Sequence, residues 1–278
     1  MTRAFLLLLC VPFLSTTMSA ADSTETTHWF PGRLAVLPLV AAPEEPSFSL
    51  DQELGTTLLR IGLGNAVDIV SFTTGGRTLR VGGEVYAYAL STDVEDVKFK
   101  IDAVDGFFGI RVSLSGTGPW EYRLRALHLS AHLVDGNFDI QNDRWRPGKS
   151  PIPFSRNYGE FVLARNDAMG TMSVRSYGGF SIAVYNNPAD FKPFTAMAGV
   201  EAATAGPPVL YGALHLQLAG TPVYSGTTTA QCGIKFGGWG ANGIRLFLRW
   251  TNGLNTFGQY YNQRITRWSV GAAFDFWR

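Results

Sequence analysis

The chain has 278 residues with 23 Lys and Arg against 22 Asp and Glu, a formal net charge of +1, so no basic field points to nucleic acid. Charged residues make up only 16% and aromatics 13%, yet beyond the first few residues no run reaches the ~18 apolar residues of a membrane helix. Few charges, many aromatics and 31 glycines without a spanning helix predict a transmembrane antiparallel β-barrel, in which only every second residue must be apolar.

The first stretch, "MTRAFLLLLCVPFLSTTMSAAD", has an early Arg3, an apolar run from Ala4 to Leu14 and small residues up to Ala21. That layout predicts a signal peptide over 1–21, too short in its apolar run to span a bilayer, and Cys10 lies too early for a lipoprotein acceptor. Of two cysteines only Cys232 would remain, which leaves no intrachain disulfide. Residues 22–53, rich in Pro, Ser and Thr, are expected to form a periplasmic or plug segment, and 54–278 the barrel.

Alternation then runs along the chain. In "RTLRVGGEVYAYAL", Leu79, Val81, Val85, Ala87 and Ala89 oppose Arg80, Glu84, Tyr86 and Tyr88; in "SVRSYGGFSIAVYN", Val174, Phe180, Ile182 and Val184 oppose Arg175, Tyr177 and Tyr185. Leu210, Leu214, Leu216 and Leu218 oppose Tyr211, His215 and Gln217, and Ile244, Leu246, Leu248 and Trp250 oppose Arg245, Arg249 and Thr251. The last segment puts Trp268, Val270, Ala272, Phe274 and Phe276 against Arg267, Ser269 and Asp275. Turn signals stand at 64–65, 75–76, 105–106, 186–188 and 205–208. The segments number thirteen, whereas bacterial barrels have even strand numbers, so the pattern predicts about 12 strands. Arg123, Arg125, Arg175, Glu84, Glu201, Arg245 and Arg249 are expected to form a lumen network of charge-assisted hydrogen bonds. Phe276, followed by Trp277 and Arg278, resembles the terminal signal by which outer-membrane barrels engage their assembly machinery.

"LPLVAAPEEPSFSL", "YRLRALHLSAHLVDGNF", "NYGEFVLAR", "YGGFSIAVYNNPADFKPFTAMAGVEA" and "LRWTNGLNTFGQYYNQRI" together resemble a family of bacterial outer-membrane barrels catalogued as a domain of unknown function. The resemblance covers about 31–53 and 121–278. It implies a Gram-negative-type outer membrane and supplies no activity.

Mid-chain, "LHLSAH" carries His128, Ser130 and His132 at alternate positions. If Arg123 and Arg125 face the lumen, an unbroken strand aims those three at lipid; a bulge near Ala126 would reverse this. Polar groups facing hydrocarbon are costly and so informative. A His and a Ser two apart on a barrel strand also resemble outer-membrane phospholipase A and the lipid A 3-O-deacylases. That resemblance implies His128 as base and Ser130 as nucleophile, with Asn157 as the group orienting the imidazole and Asp135 or His132 as substitutes. The "HQSNG" continuation of the phospholipases is absent, since Ala131 and His132 follow Ser130. His28 and His215 receive no role. No cofactor is implied, and a zinc site is not supported because Cys232 shares a face with Ile234 and Phe236. Residues 136–153 are too polar for hydrocarbon and should form an extracellular loop, either plainly exposed or touching lipopolysaccharide through Arg144, Arg146 and Lys149. Three readings stay open: a non-enzymatic envelope barrel, favoured because many strands carry a His-x-Ser pair by chance, a lipid-directed acyl hydrolase, and a small pore.

Overall fold

The computed structural model describes residues 25–92 and 100–277, apart from the Asp135 side chain; the expected signal peptide lies outside the described residues. The strands are β1 (Thr26–Trp29), β2 (Phe48–Glu53), β3 (Leu58–Thr74), β4 (Arg77–Thr92), β5 (Lys100–Ser115), β6 (Trp120–Leu133), β7 (Phe138–Asp139) and β8 (Arg144–Trp145). They continue as β9 (Phe154–Met169), β10 (Met172–Asn187), β11 (Phe194–Thr204), β12 (Val209–Gly220), β13 (Tyr224–Phe236), β14 (Gly243–Leu254) and β15 (Arg264–Asp275). Among the described residues, twelve strands, β2 to β6 and β9 to β15, pair antiparallel with their ring neighbours and close where β2 joins β15 to β3. The short β1 borders the far end of β3 beside the ring, and β7 and β8 form a small separate hairpin. The protein is therefore an all-β, closed twelve-stranded antiparallel barrel with one extra strand. Among the described residues each ring strand has a paired neighbour on both sides, the arrangement by which extended chain crosses a bilayer.

Thirteen segments fall to eleven because two turn signals lie inside strands, and β2, which precedes the counted span, restores twelve. Gly64 and Asn65 fall within the 17-residue β3, where Gly64 holds φ +141° against the backbone of Tyr86 and any side chain would collide. Asp105 and Gly106 fall within β5, and the Asp105 carboxylate accepts the Gly258 N–H at 2.8 Å across the lumen. In both places a turn-forming residue answers to a tertiary contact that local pattern does not contain. The first barrel strand, β2, also begins at Phe48, inside the span that composition grouped with the N-terminal segment. Its six residues are too few to show alternation alone, but Leu50 faces out, Ser49 and Asp51 are buried inside, and both edges are paired.

Away from the register shifts in β3, β4 and β10 the faces follow parity. Leu210, Leu214, Leu216, Leu218, Ile244, Leu246, Leu248, Val270 and Phe274 are exposed on the outside, while Tyr211, His215, Arg245 and Asp275 are buried. Tyr185 departs from its expected inward place. A register shift between Ala183 and Tyr185 inserts one residue into β10, and Tyr185 then stands outside near Val184.

The interior is filled by charge and by chain. Residues 33–47 enter from the end where β15 stops, with Leu34 N–H donating to Trp277 O, and lie against lumen side chains before β2 begins. Arg111 donates to Val36 O at 2.6 Å, Arg175 to Leu37 O and Pro38 O at 3.0 and 2.8 Å, Arg60 to Pro43 O at 2.7 Å and Tyr86 to Glu44 O at 2.9 Å. Those carbonyls would otherwise be buried without partners, and the strand arginines supply them.

A parity test of the faces follows. Leu216, 45% exposed on β12, should tolerate Arg poorly if it lies at mid-depth, with an assembly cost up to ~2 to 4 kcal/mol, whereas Arg at the inward Gln217 should cost less. Equal losses of heat-resistant folded band in the two variants would mean that the faces are wrongly assigned.

Candidate functional site at the lipid-facing surface

β6 pairs with β5 and β9 without a register shift on either side, so the bulge that could have turned its faces over is absent. Arg123, Arg125, Leu127, Leu129 and Ala131 are buried inside, and Tyr122, Leu124, Ala126, His128, Ser130 and His132 share the outer face. Three polar residues thus stand on a barrel wall whose other outward groups are mostly Leu, Val, Ile, Phe and Trp.

Cross-strand register arranges the surroundings in rows. Ser130 lies between Gly106 on β5 and Ser155 on β9; His128 lies between Phe108 and Asn157; Ala126 lies between Ile110 and Gly159. Beyond β9, Asn187 stands beside Ser155 and Tyr185 beside Asn157 on β10. A hydroxyl, amide and imidazole patch at the β6 end next to the 134–153 connection therefore gives way to an apolar row in which the small Ala126 and Gly159 stand between the exposed Ile110 and Ile182.

Within the patch, His128 Nδ1–H donates to Asn157 Oδ1 at 2.6 Å, and Phe108 packs on the imidazole at 4.7 Å between ring centroids. Ser130 Oγ and His132 Nε2 stand within hydrogen-bond distance at 2.7 Å. Asn157 is placed where the phospholipase resemblance implies, beside His128, but Ser130 is held by His132 rather than by His128. A serine on a strand reaches either neighbour on its face, and here the Oγ turns toward the following imidazole. The expected relay is split into an Asn157–His128 pair and a Ser130–His132 pair. Asp135 begins a 3-10 turn just after β6, and its side chain lies outside the described residues.

Above this patch, residues 134–153 carry the β7/β8 hairpin, with Arg144 and Arg146 exposed. Lys149 is drawn aside, with its Nζ 3.3 Å from Tyr260 Oη and 4.8 Å from that ring's centroid. In the same loop the Asn142 side-chain amide beside Asp139 holds that carboxyl below its ordinary pKa.

The lumen arginines sit apart from this surface. Arg125 binds Glu160 at 2.6 Å and Glu84 at 3.2 Å, Arg123 binds Glu160 at 3.1 Å and forks onto Glu45, and Arg111 reaches Glu84 and Asp68 at 3.5 and 3.6 Å. Arg175 binds Glu201 at 2.6 Å; Arg245 binds Asp275 at 2.9 Å; Arg249 binds Gln231 at 2.9 Å and also Asp51. Arg111, Asp68, Glu160 and Asp275 could have been found from strand parity. Glu45 could not, because its segment has no period, and Ser155 gains its meaning only from standing opposite Ser130.

No curated protein matches this chain in sequence. Among solved structures the fold is similar to outer membrane phospholipase A from Escherichia coli, at 12% identity over 87% of this chain and 94% of that one, with a TM-score of 0.48. It is also similar to the β domain of the Bordetella autotransporter BrkA, at 11% identity over 83% and 96% with a TM-score of 0.45, and to OmpT of Vibrio cholerae, at 10% over 92% and 98% with 0.35. Residues 92–276 match the family described as protein of unknown function (DUF1207), more than half of the chain, and the protein, an outer-membrane-type β-barrel, belongs to that family.

Proposed function

We propose that this protein is an integral outer-membrane hydrolase of lipid acyl esters, with Ser130 as nucleophile and His132 as its base. The observation that carries the reading is the 2.7 Å contact of Ser130 Oγ with His132 Nε2 on the lipid-facing wall. Nucleophile and base within hydrogen-bond reach are the geometric requirement for serine activation. A satisfied polar patch would be cheaper inside the lumen, and this one lies outside, where each polar group is costly unless it meets headgroups or substrate.

Barrels of this kind keep short turns on the periplasmic side and longer loops outside, so the 134–153 connection puts the patch near the outer interface. Ester linkages lie at that depth, and the apolar row of Ile110, Ala126, Gly159 and Ile182 below suits an acyl chain. Ser130 Oγ attacks the ester carbonyl carbon as its proton passes to His132 Nε2. The tetrahedral adduct collapses, the carbon–oxygen bond to the glycerol or sugar alcohol breaks, and His132 returns the proton to that alcohol. Water then attacks the acyl-Ser130 ester with an imidazole taking its proton, and the fatty acid leaves with Ser130 restored. His128, oriented by Asn157, supports the same site from the other side of Ser130.

Residues 33–47 across the interior speak against an open pore and support a plug role for that segment. In this reading Arg144 and Arg146, exposed on the connection, would meet lipopolysaccharide phosphates, and the strand leading to Phe276 would engage assembly machinery. Purified protein in mixed phospholipid and detergent micelles should release fatty acid, and Ser130→Ala should abolish the release. A folded wild-type barrel inert on phospholipid and on lipid A would leave a non-enzymatic envelope barrel with a polar belt.

A further inference from the structure

An acyl transfer needs donors for the oxyanion, and serine hydrolases ordinarily find them among main-chain N–H groups. Around Ser130 the main chain is committed to the ladders. Ser130 lies in ladders on both sides, opposite Gly106 and Ser155, and the carbonyls of Ala126 and Ser130 point toward Gly109 and Gly106 on β5. The N–H of a strand residue points to the same side as its C=O, so the Ser130 N–H is directed into the β5 ladder. It also makes Ser130 and Ser155 a pair with no mutual main-chain hydrogen bond, the closer kind, with Cα atoms about 4.5 Å apart.

Resting on the hydrolase reading, we infer that the oxyanion is held by side chains of β9: the Ser155 hydroxyl and the Asn157 Nδ2 amide. Both residues lie on the outer face, two apart, and flank Ser130 and His128. Asn157 spends its Oδ1 on His128, and its Nδ2 protons have no protein partner among the described residues; nor has the Ser155 hydroxyl. Asn157 thus fixes the imidazole with one end and offers donors with the other. The Ser130–His132 contact turns the nucleophile toward the connection, which leaves the flank beside Ser155 for the carbonyl oxygen. Neutral donors are suited to this place, since a Lys or Arg on the lipid-facing wall would cost more in assembly.

The experiment compares Ser155→Ala, Ser155→Thr and Asn157→Asp with wild type, in detergent micelles containing a diacyl phosphatidylethanolamine. Ser155→Ala should lower kcat by about 10²-fold with KM nearly unchanged, since the donor acts on the transition state. Ser155→Thr, which keeps the hydroxyl, should retain most of the rate. Asn157→Asp keeps an acceptor for His128 but replaces the amide donor with a negative charge, so it should lose at least as much kcat. The rate at which an alkyl fluorophosphonate labels Ser130 should fall in parallel. If the wild type hydrolyses and labels while Ser155→Ala matches it, or if Thr is as damaging as Ala with the heat shift intact, the side-chain assignment is wrong and the hydrolase stands. A wild type that neither hydrolyses nor labels removes both.

Discussion

Ser130→Ala and His132→Ala are each expected to remove nearly all acyl-ester hydrolysis, and the double variant to be little worse than either. Removal of a positioned general base costs typically 10²- to 10⁴-fold, and groups that act as one unit lose their activity together rather than additively. His128→Ala should cost less, because that imidazole touches Asn157 and Phe108 but does not hold the Ser130 Oγ. The comparison separates two assignments as well as two functions. Abolition by His128→Ala with His132→Ala unharmed would transfer the base to His128, reached by a turn of Ser130 about χ1, and overturn the Ser130–His132 dyad. Full activity in Ser130→Ala would end the hydrolase reading. Each variant needs its folded band confirmed by the shift on heating, since a closed barrel keeps its compact form in detergent until boiled.

Arg125→Ala is expected to have the largest effect on stability. Arg125 is buried against Glu160, Glu84 and Glu45, in a cluster where Asp68, Glu84, Glu160 and Glu45 face Arg80, Arg111, Arg123 and Arg125. Removing one guanidinium leaves a buried, uncompensated negative charge, which costs about 3 to 5 kcal/mol. Lysine at the same place should recover only part, since a point charge cannot serve carboxylates on several sides as a planar fork does. Pairing Arg125→Met with Glu160→Gln should recover more than either single change, because neutralising both partners removes the unpaired charge. The measurement is the temperature at which the folded band is lost; an Arg125→Ala barrel as stable as wild type would show that the cluster is dispensable. The effect extends to the N-terminal segment, because Glu45 is tied to Arg123 and Arg125.

Strand parity could be read from the chain because each wall residue has only two environments, lipid and lumen, and residue type separates them sharply. Leu214, Leu216 and Leu218 against Tyr211 and His215 need no partner strand to declare their faces. The outward address of His128, Ser130 and His132 was legible in the same way once Arg123 and Arg125 were taken as inward. Boundaries were less legible. Gly64 and Asp105 are glycine- or aspartate-containing turn signals by local rule, yet one answers to the Tyr86 backbone and the other to the Gly258 N–H. Tyr185 reversed its face because one inserted residue in β10 shifts every later position, and the need for that bulge arises from the neighbouring strand.

The sequence by itself determined that this is an all-β barrel of about twelve strands with arginine and glutamate inside, and it set a histidine and serine row outside on condition that its strand carries no bulge. Period-two patterning and residue chemistry are local properties, whereas closure into an even ring shows only where β2 joins β15 to β3. Only the tertiary structure decided which charges meet, how residues 33–47 lie within the lumen, and that Asn157 reaches His128 while His132 takes Ser130. Those contacts join residues far apart in the chain or choose between two neighbours at equal spacing. Register across β6 and β9 and the direction of a single Oγ settle them, and neither is written in the order of residues.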